Sequence, residues 1–342
     1  MELINDSPYS AGIAVDTDRD GADTLVLMVK ATFDILPDGN VQLSEKQRDI
    51  EWGDVYAGEP GMSSVLYESD ATWGRTGTDV ALIGYAYPKR PGDRQVDVAL
   101  SVGQLRKSVR VFGDRHWEGA IGGASISFAE SFERIPLVWE RSFGGVDRTP
   151  ADPNDHAVEA RNPVGRGFRA KNSRVSLGGA RLPNIEDPRH LISSPADRPA
   201  PVGFGFVAKS WMPRVAYAGT YDERWQKSRA PLVPDDYDPR FSVAAADGLW
   251  AETGLRGGEP VELVNMTQNG RLQFTLPAVN VRGSFLALVP PTDLDMRLVV
   301  VFLDAVRMNL VMLWQGSHSI HGMLDDVRWV RALDEAYVPS LS

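Results

Sequence analysis

The chain has 342 residues, of which 43% are hydrophobic and 24% charged, an ordinary globular balance that excludes a disordered or fibrous protein. Its 36 Lys and Arg against 46 Asp and Glu leave a formal charge of −10, which repels a phosphate backbone, so nucleic acid is not an expected partner. With no cysteine, disulfides, thiolate metal sites and cysteine nucleophiles are ruled out. Met1 to Ser10 lack the basic start and apolar run of a secretory signal, and no apolar run approaches the ~18 residues of a membrane span. A cytoplasmic protein with no membrane partner is expected.

In chain order, Thr24 to Ile35 is apolar and β-branched, Pro37-Asp38-Gly39-Asn40 is strong turn chemistry and Val41 to Leu43 resumes the alternation, which predicts a hairpin. Short strands follow at Val80 to Tyr87, Val96 to Val102, Ser108 to Phe112 and Ala124 to Phe128. From Arg134 to about Gly205 periodicity fades and Gly, Pro, Asn and Arg crowd in, forming an irregular belt that is most marked between Arg134 and Pro188. Asp238-Pro239 suits a helix start before Phe241 to Ala246, with Gly248 as the stop. Strands resume at Val261 to Met266, Arg271 to Leu276, Val281 to Val289, Arg297 to Leu303 and Val306 to Trp314. In the last, Val306, Met308, Leu310, Met312 and Trp314 share one face; Leu298 to Leu303 is apolar on both faces and belongs centrally in a sheet. Val327, Val330 and Leu333 repeat at helical spacing behind Asp325 and Asp326.

The expected fold is therefore mainly β, with antiparallel sandwich or barrel-like sheets and a few short helices. Single cores stop growing near roughly 250 to 300 residues, so either two packed β-rich subdomains, 1–133 and 206–342 on either side of the belt 134–205, or one long sandwich with excursions is expected, the former being preferred.

Asp16-Thr17-Asp18-Arg19-Asp20-Gly21 matches the opening of a calcium loop, making Asp16, Asp18 and Asp20 candidate ligands. Leu27 stands where the closing bidentate Glu belongs and the flanks read as strands, so an acidic turn accounts for the run equally well. His318 and His321 follow a strand without a helix signal, which places no zinc pair there. There is no G-x-S-x-G elbow and no P-loop, and Gly165-Arg166-Gly167-Phe168 lacks the third glycine of a dinucleotide loop. No pair of carboxylates stands out, so no catalytic residue and no cofactor is expected. Trp139-Glu140-Arg141-Ser142-Phe143-Gly144-Gly145 and Asn162-Pro163-Val164-Gly165-Arg166-Gly167-Phe168 each combine arginine, an aromatic and glycines. Trp139, Arg141, Phe143, Asn162, Arg166 and Phe168 are candidate protein-contact residues, because arginine and aromatics dominate interface hot spots. The alternative is structural: Arg141 or Arg166 pairs with Glu140 or another internal carboxylate, the phenylalanines are core and the glycines permit turns.

The ordered series Val29-Lys30-Ala31-Thr32-Phe33, Glu68-Ser69-Asp70, Thr78-Asp79-Val80, Gly113-Asp114-Arg115, Pro136-Leu137 with Glu140 to Gly145, Asn162 to Phe168 and Leu182-Pro183-Asn184 resembles a bacterial family that carries a domain-of-unknown-function label. Its members are encoded beside type VI secretion genes and serve as effector adaptors or chaperones. The resemblance implies a non-catalytic protein that binds an effector, often one with a PAAR-type region, and helps it reach the secretion spike, with the spike protein as a further partner. It adds Asn184 to the candidate contact residues and supplies no catalytic residue. Its motifs are open to two readings, as fold positions or as contact positions. A second class of function is a carbohydrate-binding or carbohydrate-active β-sandwich, suggested by nine Trp and nine Tyr on a β-scaffold; a third is a structural calcium-binding sandwich.

Overall fold

The computed structural model describes residues 1–120, 123–170 and 178–336. The principal strands are β1 (Glu2–Asp6), β2 (Ser10–Thr17), β3 (Asp23–Ile35), β4 (Val41–Leu43), β5 (Thr78–Ile83), β6 (Gln95–Val102), β7 (Leu105–Phe112), β8 (Pro260–Val264), β9 (Arg271–Thr275), β10 (Val281–Leu286), β11 (Thr292–Leu294), β12 (Arg297–Asp304), β13 (Asn309–Ser319) and β14 (Trp329–Asp334). The fold is mainly β, as the patterning predicts.

The largest sheet has seven strands: Trp250–Ala251, β5, β12, β13, β3 and β2 in order, with β4 added to the end of β3. Thr24 to Phe33 is buried along its whole length, because β3 lies between β13 and β2 with both faces covered. The doubly apolar run of β12 likewise sits inside the sheet, between β5 and β13. A five-stranded antiparallel sheet runs Ile185–Glu186, β7, β6, β8, β9, and a four-stranded sheet runs β1, β14, β10, β11. Strands from the two ends of the chain share every one of these sheets, through the pairs β3 with β13, β6 with β8 and β1 with β14. One large core collects Val29, Val80, Val98, Phe206, Phe274, Phe302 and Val330. Trp117, Phe143, Leu182 and Ile192 form a smaller one under the belt.

The structure corrects the expectations in four places. The sheets are mixed: β5 runs parallel to β12 and β1 parallel to β14, and no barrel closes among the described residues. The helix expected over 241–246 is only a 3-10 turn, Pro239–Ser242. Asp238 caps it as anticipated, accepting from the Arg240 amide at 2.9 Å, but Val243 turns extended and the Ala244 amide donates to the buried Asp79 carboxylate at 2.9 Å. The C-terminal helix is a strand: after a 3-10 turn at Leu324–Asp326, β14 inserts between β1 and β10 with Val330, Ala332 and Asp334 facing inward. Finally, Val306 and Met308 belong to the turn before β13, Met308 at φ +56°, while Leu310, Met312 and Trp314 share one face as expected, with Val311 and Leu313 equally buried on the other. Among the described residues the α-helix is Glu223–Ser228, which Asp222 caps by accepting from the Trp225 amide at 2.8 Å.

Candidate functional site

The belt is built around two buried asparagines. Phe143–Gly144 pairs in parallel with Arg166–Gly167. Asn162, wholly buried, ties this bridge to the preceding turn, its Nδ2 donating to the carbonyls of Trp139 at 2.9 Å and Phe143 at 3.0 Å. The approach is so close that only glycine fits: a Cβ on Gly144, at φ +148°, would stand 2.2 Å from the Asn162 carbonyl oxygen, and one on Gly165 would stand 2.4 Å from Asn162 Nδ2. Asn184 is the second anchor. Its Nδ2 donates to the Phe112 carbonyl at 3.0 Å and to Asp114 at 2.9 Å, while its Oδ1 accepts from Arg141 at 3.0 Å and, more weakly, from Arg166 at 3.5 Å. The Asn184 hydrogen bond, helped by Arg141 and Arg166, holds the Asp114 carboxyl below its ordinary range.

These contacts place each residue singled out from the sequence. Trp139 lies in the main core, its Nε1 donating to the Phe206 carbonyl at 3.0 Å and its ring edge-on to Trp211 at 5.9 Å. Phe143 is in the smaller core, edge-to-face with the half-buried Phe168 at 6.4 Å. Asn162 and Asn184 are buried. Arg141, Arg166 and Phe168 remain partly open. Neither arginine pairs with the Glu140 carboxylate, which accepts from the Ser64 amide at 2.8 Å and hydroxyl at 3.0 Å. Arg141 lies 3.5 Å from Asp114, and Arg166 Nε donates to the Glu140 backbone carbonyl at 2.9 Å. Burial, followed by the nearby Arg141, lowers the proton affinity of Arg166.

On the outer side of this frame is a cleft of about 750 Å³, into which Arg166 and Phe168 project beside Arg148, Arg169, Arg181 and Met62. The acidic group in its lining, Asp147, is already engaged, accepting from the Thr149 amide at 3.1 Å and the Ala170 amide at 2.9 Å, with Arg169 at 3.6 Å. Burial raises the Asp147 carboxyl, but those donors outweigh it and leave it below its ordinary range. Arg148, Arg169, Arg181 and Met62 were not singled out from the sequence. The arginine richness of the belt was the available signal, and it marks the region but not the individual side chains.

Two other polar groupings stand apart from the cleft. The acidic run is the turn between β2 and β3. Asp18 Oδ1 accepts from the amides of Asp20 and Ala22, both at 2.9 Å, and Asp16 accepts from Trp73 Nε1 at 2.6 Å. Among the described residues no group of three or more His, Asp or Glu could hold a metal ion. Beneath the main sheet lies an ionic core. Lys30 and Asp70 pair at 2.7 Å with both side chains wholly buried, and Tyr67 donates to Asp70 at 2.7 Å. Next to them, Glu68 contacts Arg214 at 2.5 Å and Arg75 at 3.1 Å, and Arg75 reaches Asp79 at 3.4 Å. Burial raises the Glu68 carboxyl, yet Arg75 and Arg214 prevail and hold it below its ordinary range; for Asp79 burial wins over Arg75 and pushes it up to about 6. A carboxyl near 6 has the proton affinity of a general acid or base, but Asp79, on β5 of the main sheet, is 1% exposed and already engaged by Arg75 and the Ala244 amide.

Of the tryptophans, Trp52 is the exposed one, the others being buried or half-buried. Among the described residues no helix is long and apolar enough to cross a membrane. Comparison with curated proteins gives no match, and comparison with solved structures gives none. The family match spans the β2–β3 turn, the whole belt and most of β13: the chain belongs to the bacterial family described as "Uncharacterized protein conserved in bacteria (DUF2169)", whose model matches residues 20–315.

Proposed function

We propose that this chain is a non-catalytic adaptor or chaperone that binds a type VI secretion effector, one with a PAAR-type region, and helps load it onto the secretion spike. The observation that carries the binding role is the belt cleft, where arginine side chains stand on a frame fixed by Asn162 and Asn184. Preorganised guanidinium forks lose little freedom on meeting a partner, which suits them to protein recognition. The identity of the partner rests on the motif series and its resemblance to the secretion adaptors. The enclosure of the strongly shifted carboxyl Asp79 favours a binding role over a catalytic one.

The test is co-expression with a type VI effector that carries a PAAR-type region, taken from the same genome. The effector should gain soluble yield and co-elute with the adaptor on size exclusion. No complex, with or without the spike protein, would overturn the proposal.

A further inference from the structure

The cleft gathers arginines with little acidic counter-charge in its lining. The whole chain carries −10, yet Arg148, Arg166, Arg169 and Arg181 meet here with Asp147 as the acidic residue of the lining, while Asp114, bonded to Asn184, acts on Arg166 and Arg181 from beside the cleft. That carboxylate is saturated by two backbone amides and Arg169. Among the described residues no carboxylate is in ion-pair contact with Arg148 or Arg181, and both are exposed. Elsewhere the exposed arginines are commonly paired: Arg189 with Asp187 at 2.8 Å, Arg240 with Asp238 and Arg297 with Asp295 at 2.5 Å, and Arg271 with Glu262. Beside the unpaired cations the cleft offers apolar surface from Phe168 and from Met62, which is 69% exposed.

We infer that this cleft takes a short, extended, carboxylate-rich segment of the bound protein, its Asp or Glu side chains pairing with Arg148, Arg166 and Arg181. The inference rests on the adaptor reading and names the chemistry of the partner at that site. Charge complementarity selects an anionic ligand. The arginine fork matches a carboxylate with two parallel hydrogen bonds. The net charge of the chain opposes a nucleic acid, whose backbone would extend far beyond the cleft. A volume of about 750 Å³ accommodates a few side chains of an extended peptide.

The test uses fluorescein-labelled hexaglutamate and hexalysine peptides, with anisotropy recorded on the wild-type chain and on the double variant Arg148→Glu/Arg181→Glu. Both positions are exposed, and an unchanged melting temperature will establish that the variant is folded. Hexaglutamate should bind and weaken as salt is raised, hexalysine should not bind, and the double reversal should weaken hexaglutamate by about tenfold or more. Equal binding of the two peptides, or a folded double variant that binds hexaglutamate like the wild type, would overturn the inference. So would displacement of hexaglutamate by inorganic phosphate or a DNA oligonucleotide at a lower concentration than by unlabelled hexaglutamate. The effector pull-down separates the two proposals. An effector captured equally by wild type and double variant leaves the adaptor reading standing and overturns the cleft inference. An effector not captured by the wild type removes the adaptor reading, and the peptide titrations then decide the chemistry of the cleft alone.

Discussion

Replacing Asp79 with Asn should remove a pH dependence that the buried ionic core imposes on stability. Asp79 is 1% exposed, lies 3.4 Å from Arg75 and accepts one backbone hydrogen bond, from Ala244 at 2.9 Å. Burial raises its carboxyl from 3.8 to about 6 against the pull of Arg75. Because the folded value lies above the unfolded one, the native state binds the proton more tightly. The resulting stabilisation is fully present below pH 3.8 and is lost as pH rises through 6. The shift of about 2 units corresponds to about 3 kcal/mol, of which about 2 kcal/mol falls between pH 4.5 and 7.5. Asparagine does not titrate there. Loss of the Arg75 partner adds an offset in the variant that does not vary with pH in this range. Urea unfolding of wild type and Asp79→Asn at steps from pH 4.5 to 7.5 should therefore show the variant gaining about 2 kcal/mol on the wild type. Common titrations cancel in the difference, so a flat difference would refute the assignment of Asp79 as a desolvated carboxylate.

Lys30→Met leaves Asp70 buried without its cation and should cost about 3–5 kcal/mol in chemical denaturation; a loss below about 1 kcal/mol would show that the pair is not sealed from solvent. Gly144→Ala drives a Cβ to 2.2 Å from a backbone oxygen at φ +148° and should cost about 3 kcal/mol or more, whereas Gly61→Ala, at φ +76° with nothing within 4 Å, should cost only about 1 kcal/mol. Melting temperatures of the two variants check the ordering, and equal losses would place the penalty in the dihedral and not in the contact with Asn162.

The parts of the fold that were readable in advance are those where a local pattern and the tertiary environment agree. β3, β6 and β12 are long apolar or alternating runs, and the Pro37 to Asn40 turn has unambiguous chemistry. β14 misleads because Val327, Val330 and Leu333 fit a helical period, whereas the strand uses Val330, Ala332 and Asp334. An inward aspartate breaks the apolar alternation, and the Tyr9 hydroxyl, donating to Asp334 at 2.7 Å from the other end of the chain, together with the Ala336 amide at 3.0 Å, makes it tolerable. The parallel pairings β5 with β12 and β1 with β14 join segments far apart in sequence, and no turn records them. At the candidate site the belt was visible through its composition, but composition does not distinguish an asparagine that bonds backbone from one that faces a partner. That distinction depends on which carbonyls the folded chain brings within reach, as Trp139 and Phe143 are brought to Asn162.

The polar residues of the motif series are largely occupied inside the protein. Lys30, Glu68, Asp70, Asp79, Asn162 and Asn184 are buried and bonded, and Arg115 pairs with Glu186 beneath Asn184. Substituting any one of them strands a charge or a hydrogen-bonding group in the interior, which is costly, so the series fixes the frame. Arg148 and Arg181 lie outside the series and on the surface, where substitutions ordinarily change stability by no more than about 0.5 kcal/mol. A chain built this way can change the charge and shape presented at the cleft without disturbing the asparagine anchors behind it. The features by which the family is recognised and those by which a partner would be chosen therefore overlap at Arg166 and Phe168 but otherwise lie on different residues, and resemblance along the series says more about the frame than about the partner.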